Sequence, residues 1–268
     1  MNTLGYKVRG SAKLSYGQLR EEARGILKGK WLKSALFTLP YLVILQMPQL
    51  FSPSLELSAL MDEGQDILTQ LGEVLEGSLL YILSTLLLLP LTAGFMWAWI
   101  DLSRGDSIGI RKMFKPYQSA FVKSILTFGL QTLFTFFWSI LLFIPGIIKS
   151  FSYMMSVYIL RDRPELSPLE AITESRRLMN GHKKDAFLLG LTFFGWFLLI
   201  VSPLLLLLVP SIGQFVYMHL YAGEWWVFLI FAVTAAVMYF AFLFLMSYVN
   251  VTFSLLYNQL VNTENKTT

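Results

Sequence analysis

The sequence predicts an all-α, polytopic transmembrane helical bundle of about six spans, with N-terminal and central interfacial amphipathic helices. Three observations carry that prediction. Hydrophobic residues make up 55% of the chain and mean hydropathy is +0.59, well above an ordinary soluble domain. Charged residues are only 14% and cluster between apolar runs instead of spreading along helix faces. Several of those runs approach the ~20 residues that a helix needs to cross the hydrocarbon core.

Three segments follow from this: a cytoplasmic N-terminal segment (1–30), a six-span membrane domain (31–257) and a polar C-terminal tail (258–268). Residues 1–14 are polar and basic (Lys7, Arg9, Lys13) and do not read as a cleavable signal peptide, because the apolar run starts only after Trp31. From Ser15 the pattern is helical. Ser15 and Gln18 have the spacing of a capping box. Tyr16, Leu19, Ala23, Ile26 and Leu27 form one face, and Arg20, Glu21, Glu22, Arg24, Lys28 and Lys30 fill the other. Such a helix suits an anionic leaflet; it equally suits packing against the protein's own cytoplasmic loops.

The first span is predicted at 32–51, interrupted by Pro40 and Pro48. An acidic external loop (52–77) follows, with Glu56, Asp62, Glu63, Asp66, Glu73 and Glu76 and no Lys or Arg. The second span is predicted at 78–100 and the third at 120–144, stopped by Pro145-Gly146. A short fourth follows at 147–160, about 22 Å of helix at 1.5 Å per residue, with a re-entrant hairpin as the alternative. Charge favours the crossing: the loops 101–123 and 161–184 are both rich in Lys and Arg, which marks the cytoplasmic side, so an even number of crossings separates them. The fifth span is predicted at 186–209, then an uncharged-to-acidic external connection at 211–224, then a sixth span at 225–256. Six spans with both termini in the cytoplasm satisfy every loop, the arrangement expected of a multi-pass protein of the cell membrane. Leucine-rich runs end at proline at positions 86–90, 141–145 and 206–210; chance explains this better than a triplicated hairpin.

The stretch from Pro145 to Asp185 is the most informative. Ser167 suits an N-cap, Pro168 the first helical position and Glu170 the capping-box partner. Leu169, Ile172 and Met179 make an apolar stripe, with Ala171 and Leu178 beside it. Gly181 suits the left-handed residue that ends helices. An amphipathic helix over 167–181, lying flat at the cytoplasmic interface, is therefore predicted. The cations of the loop 161–184, Arg161, Arg163, Arg176, Arg177, Lys183 and Lys184, serve to hold it inside, or to contact a partner protein or lipid heads.

These residues also carry a resemblance. PGIIKSFSYMMSVYIL followed by RDRPELSPLEAITESRRLMNGHK resembles a bacterial family of integral membrane proteins known as domain of unknown function nine-seven-five. Pro90–Gly94, Leu102–Asp106, Phe114 and Leu19–Trp31 are similar to that family as well, so the resemblance runs from about 15 to 257. It implies a bacterial multi-pass membrane protein and carries no catalytic residue.

Enzyme chemistry finds little support. There is no cysteine, and the two histidines, His182 and His219, are predicted on opposite sides of the membrane, so they form neither a zinc site nor a triad. No phosphate-binding glycine loop and no H-E-x-x-H pair is present, and no span carries a central acidic pair. No cofactor, no metal and no nucleic-acid partner is expected. The expected partners are anionic lipid headgroups and a membrane or cytoplasmic protein. Lys149 is the one cation inside an apolar segment; it snorkels to the headgroups, or forms with Pro145 and Gly146 a site for an anionic lipid or substrate. Gln131, Thr132 and Ser139 share the third span and are expected to join helices. The leading reading is a non-enzymatic scaffold or interaction component with a basic cytoplasmic face (Arg20, Arg24, Arg111, Lys112, Arg176, Arg177). The alternative is a transporter or lipid-handling protein using Pro145–Tyr158.

Overall fold

The computed structural model describes residues 15–52, 67–206, 210–223 and 225–267. Its elements are α1 (Tyr16–Leu27), α2 (Trp31–Leu45) with a 3-10 turn at Met47–Phe51, α3 (Ile67–Ser103), and a 3-10 turn at Ile110–Phe114 leading into α4 (Lys115–Ser119). Then come α5 (Phe121–Leu141), α6 (Phe143–Tyr153), α7 (Ser156–Asp162), α8 (Pro168–Leu178), α9 (Lys183–Leu206), α10 (Pro210–Tyr221) and α11 (Trp225–Thr267). No strand occurs among the described residues. Among the described residues, six stretches are long and apolar enough to cross a membrane: 31–51, 74–103, 121–141, 143–162, 183–203 and 225–265. The protein is an all-α, multi-pass membrane protein, as its hydropathy predicts.

Four boundaries differ from expectation. Helix α3 starts at Ile67, inside the stretch read as an external loop; the earlier acidic residues, Glu56 to Asp66, lie outside the described residues, as do Lys7, Arg9 and Lys13. The connection at 211–224 holds the helix α10, which charge counting alone hides. The polar tail is not separate, because α11 runs on to Thr267. Helix α8 ends at Leu178, and Gly181, at φ +79°, takes the left-handed turn beyond it.

By its internal contacts the chain forms two compact units, one of residues 1–38, 99–108 and 178–268, the other of residues 39–98 and 109–177. In the first, α1 packs on α11. Its capping box is formed as predicted, with Ser15 Oγ accepting from Gln18 N–H and Gln18 Oε1 from Ser15 N–H. Leu19, Ala23 and Leu27 are buried, so the apolar face of α1 is covered by protein. Arg20 is held too: its guanidinium lies over the Phe193 ring at 5.7 Å, and Tyr248 Oη donates to the Arg20 carbonyl at 3.1 Å. Tyr16 Oη donates to Asp185 in the first turn of α9 at 2.9 Å, and that bond raises the phenol above its usual pKa. His182 Nδ1 sits 3.3 Å from the other oxygen of Asp185.

Helix α11 has two different halves. From Trp225 to Phe240 its large side chains are mostly exposed, as a lipid-facing span requires; from Ser247 to Leu260 they are mostly buried. Asn258, in the buried half, accepts from Arg104 Nε at 3.0 Å and donates to Ser103 Oγ at 2.9 Å.

The second unit packs α3, α5, α6, α7 and α8. Tyr41 stacks on Phe95, with centroids 3.7 Å apart and planes 7° from parallel. Gly94 lies against the backbone of Met113: a Cβ there would fall 1.9 Å from the Met113 carbonyl oxygen. Only glycine admits that approach.

Candidate functional site

The site is built around the fourth span, which is formed by two helices. Helix α5 ends where Leu142 turns extended (φ −159°, ψ 130°), and α6 starts at the next residue. Pro145 is the third residue of α6, where a helix start leaves the backbone N–H without an intrahelical partner anyway. A Cβ on Gly146 would lie 2.1 Å from Ser139 Oγ and 2.9 Å from Ser139 Cα, so Gly146 lets α6 fold tightly back on α5. The expectation that Pro145-Gly146 ends the third span and breaks the backbone is therefore corrected. These residues build a hairpin, and its turn is at Leu142.

The true break lies further on, at Met154-Met155, between α6 and α7. There the backbone groups released from helical bonding meet side chains from several elements. Gln131 Nε2, on α5, donates to the Tyr153 carbonyl at 2.8 Å, and Ser156 Oγ donates to the same carbonyl at 2.7 Å. Ser175 Oγ, on α8, donates to the Ser152 carbonyl at 2.8 Å and accepts from Met155 N–H at 3.2 Å. Trp97 Nε1, on α3, adds a bond to a carbonyl inside α7, that of Val157, at 2.8 Å. In hydrocarbon an unpaired backbone group costs several kcal/mol, and irregular backbone survives there only where protein satisfies it. Gln131 thus joins helices, as its position on the third span predicts.

Ser175 is not singled out by sequence reasoning, yet it is fully buried and holds α8 to the break. A signal does exist. Ala171, Ile172, Ser175, Leu178 and Met179 follow one helical face, and all five are buried. Leu169, assigned to that face from its hydrophobicity, is instead 54% exposed. The predicted cap of α8 is present: Ser167 N–H donates to Glu170 Oε2 at 2.7 Å, and Glu170 N–H to Ser167 Oγ at 3.3 Å. The bond from Ser167 N–H first, and the Ser167 hydroxyl second, hold the Glu170 carboxyl below its usual pKa.

The candidate cations divide by environment. Arg177 grips Glu174 with two bonds (2.9 and 2.7 Å), and Arg163 reaches the same carboxylate at 2.6 Å. The Arg177 bonds first, and Arg163 second, keep the Glu174 carboxyl below its usual range against partial burial. Arg161 pairs with neighbouring Asp162 at 2.8 Å. Arg176 is exposed and meets no carboxylate among the described residues. Lys183 and Lys184 open α9 in the other unit, the first half-buried and the second exposed. Lys149 Nζ lies 4.3 Å from the centre of the Trp138 ring, a cation–π contact that partly offsets its desolvation.

Between α5 and α6 lies a cavity of about 430 Å³, lined chiefly by Gln131, Thr132, Thr135, Ser139, Ser150 and Tyr153. Its lining contains no charged residue.

The family described as protein of unknown function (DUF975) matches residues 139–264. The matched segment opens at Ser139, where the hairpin closes on Gly146, and takes in the break, α8, α9 and most of α11. Leu19–Trp31, Pro90–Gly94, Leu102–Asp106 and Phe114, which also carried the resemblance, precede it. Gln131, which caps the break from α5, precedes it as well. No curated protein and no solved structure matches the chain.

Proposed function

We propose that this protein is a non-enzymatic membrane scaffold or interaction component, and that its contact element is the outward face of α8. The observation that supports this most is the pair of hydrogen bonds that buried Ser175 makes to the broken fourth span. It fixes the rotation of α8, so that Leu169, Thr173 and Arg176, spaced on one helical stripe, are exposed together. An exposed leucine beside a cation with no carboxylate partner among the described residues suits a protein contact of apolar centre and charged rim. Arg20, Arg163 and Arg177, by contrast, have internal partners, which narrows the basic surface to fewer residues. The chain works by contact in this reading, with the cation-rich face in the cytoplasm.

Purification in mild detergent from native membranes, with mass spectrometry of retained proteins, tests it. A near-stoichiometric partner that is lost from the Leu169→Glu, Arg176→Glu variant supports the reading. A partner retained by that variant, or no partner at all, overturns it. A second reading, lipid handling or transport through the Pro145–Tyr158 region, is favoured by the cavity beside the broken span.

A further inference from the structure

The cavity between α5 and α6 has a chemistry of its own. Gln131 stands midway along the span 121–141, so the cavity starts near the middle of the hydrocarbon layer and extends toward the turn at Leu142. Thr132, Phe136, Ser139 and Ser150 are exposed along it, and it is therefore open to the side. Two of its hydroxyls are used within the helices: Ser139 Oγ donates to the Thr135 carbonyl and Ser150 Oγ to the Ile147 carbonyl, both at 2.8 Å. The hydroxyls of Thr132 and Thr135 have no hydrogen-bond partner among the described residues. The Gln131 amide gives its N–H to Tyr153, which leaves its oxygen as an acceptor.

Polar groups facing lipid tails without partners are unfavourable. A ligand that supplies hydrogen bonds at that depth removes the penalty. It must be uncharged, because the lining holds no countercharge and an ion near the bilayer centre is costly. It must also be amphiphilic, since its route to a laterally open site at this depth is through the bilayer. The volume lies within the range of ordinary small-molecule sites and suits a polar core whose chains remain among the lipids. We propose that this cavity binds an uncharged, hydroxyl-bearing glycerolipid of the diacylglycerol class, with Thr132, Thr135 and Gln131 as its hydrogen-bonding residues. This goes beyond the interaction reading and is independent of it, because neither Leu169 nor Arg176 takes part.

The test uses the full-length protein in lipid nanodiscs containing either a photoactivatable diacylglycerol or a photoactivatable phosphatidylglycerol, with cross-links mapped by mass spectrometry. The expected result is labelling of peptides within 131–154 by the diacylglycerol probe in preference to the anionic probe. Thr132→Val with Thr135→Val, which keeps the side-chain shapes, should lower that labelling about tenfold at unchanged melting temperature. Should that pair fail to fold, Thr135→Met, which fills the cavity, should abolish labelling instead. Labelling at least as strong by the anionic probe, no labelling by either, or labelling indifferent to folded variants overturns the proposal. Leu169→Glu with Arg176→Glu should leave labelling unchanged, so this proposal and the α8 reading fail separately.

Discussion

The hydroxyl of Ser175 donates a 2.8 Å hydrogen bond to the carbonyl of Ser152, across 23 residues of sequence. One small side chain thereby ties an amphipathic helix to the end of a broken span. It also accepts the N–H of Met155, so both polarities released by the break end on the same atom.

Ser175→Ala should therefore destabilise the protein by about 1–3 kcal/mol, since it strands a buried donor and a buried acceptor. Thermal melting in detergent measures this. Ser119→Ala, which removes an exposed hydroxyl bonded only within its own helix, should change little.

Glu174 makes the seating of α8 sensitive to acid. Its carboxyl is held below the usual range by Arg177 first and Arg163 next, so the folded state favours the ionised form. That stabilisation is complete above the ordinary glutamate pKa of about 4.3, and it is lost as pH falls through the depressed folded value. Protection factors of 168–178, which correct for the intrinsic pH dependence of amide exchange, should be level from neutral pH to about 5 and fall below the ordinary carboxylate range. Glu174→Gln should lower them at neutral pH and remove the acid-dependent fall.

Gly146→Ala should cost about 1–3 kcal/mol through overpacking against Ser139. Ser139→Gly in the same chain should recover part of the loss, because it removes the nearest atom, the hydroxyl oxygen, and leaves the main chain of residue 139 still close. Equal melting temperatures for the single and double variants would show that the hairpin yields elsewhere.

Asn258→Leu should free the end of α11, since Arg104 and Ser103 both lose a partner. Limited proteolysis should then cut near the C-terminal end sooner, and thermal melting should show a stability loss of about 1–3 kcal/mol.

The absence of cysteine makes orientation directly measurable. In intact cells a membrane-impermeant maleimide should label Tyr221→Cys at once, and Lys112→Cys and Arg176→Cys only after permeabilisation. The reverse pattern would invert the arrangement that the Lys and Arg distribution predicts.

The spans were legible because each needs a long apolar run, and such runs leave few other readings. The short elements were harder. Helix α10 carries Phe215, Tyr217 and Tyr221 on a segment that is too short to cross, and charge counting treats it only as a connection. Proline misled at Pro145: it is a helix breaker in an interior, but harmless in a first turn, and only the position of Leu142 decides between the two. The break at Met154-Met155 has no proline or glycine to announce it. Side chains distant in sequence satisfy its backbone, and none of those pairings leaves a periodic trace. At Leu169 hydrophobicity pointed inward, while the face set by Ala171, Ile172 and Ser175 turned it outward.

Helix α11 is one uninterrupted rod of 43 residues, about 64 Å at 1.5 Å per residue. It has no joint between the half that faces lipid and the half that carries Tyr248 and Asn258. A thicker or thinner bilayer changes the tilt of such a helix. A change of about 10° over a ~30 Å arm displaces the far end by roughly 5 Å. Because Tyr248, near the middle of the rod, donates to the Arg20 carbonyl, α1 is fastened to the same rigid element as the lipid-facing half.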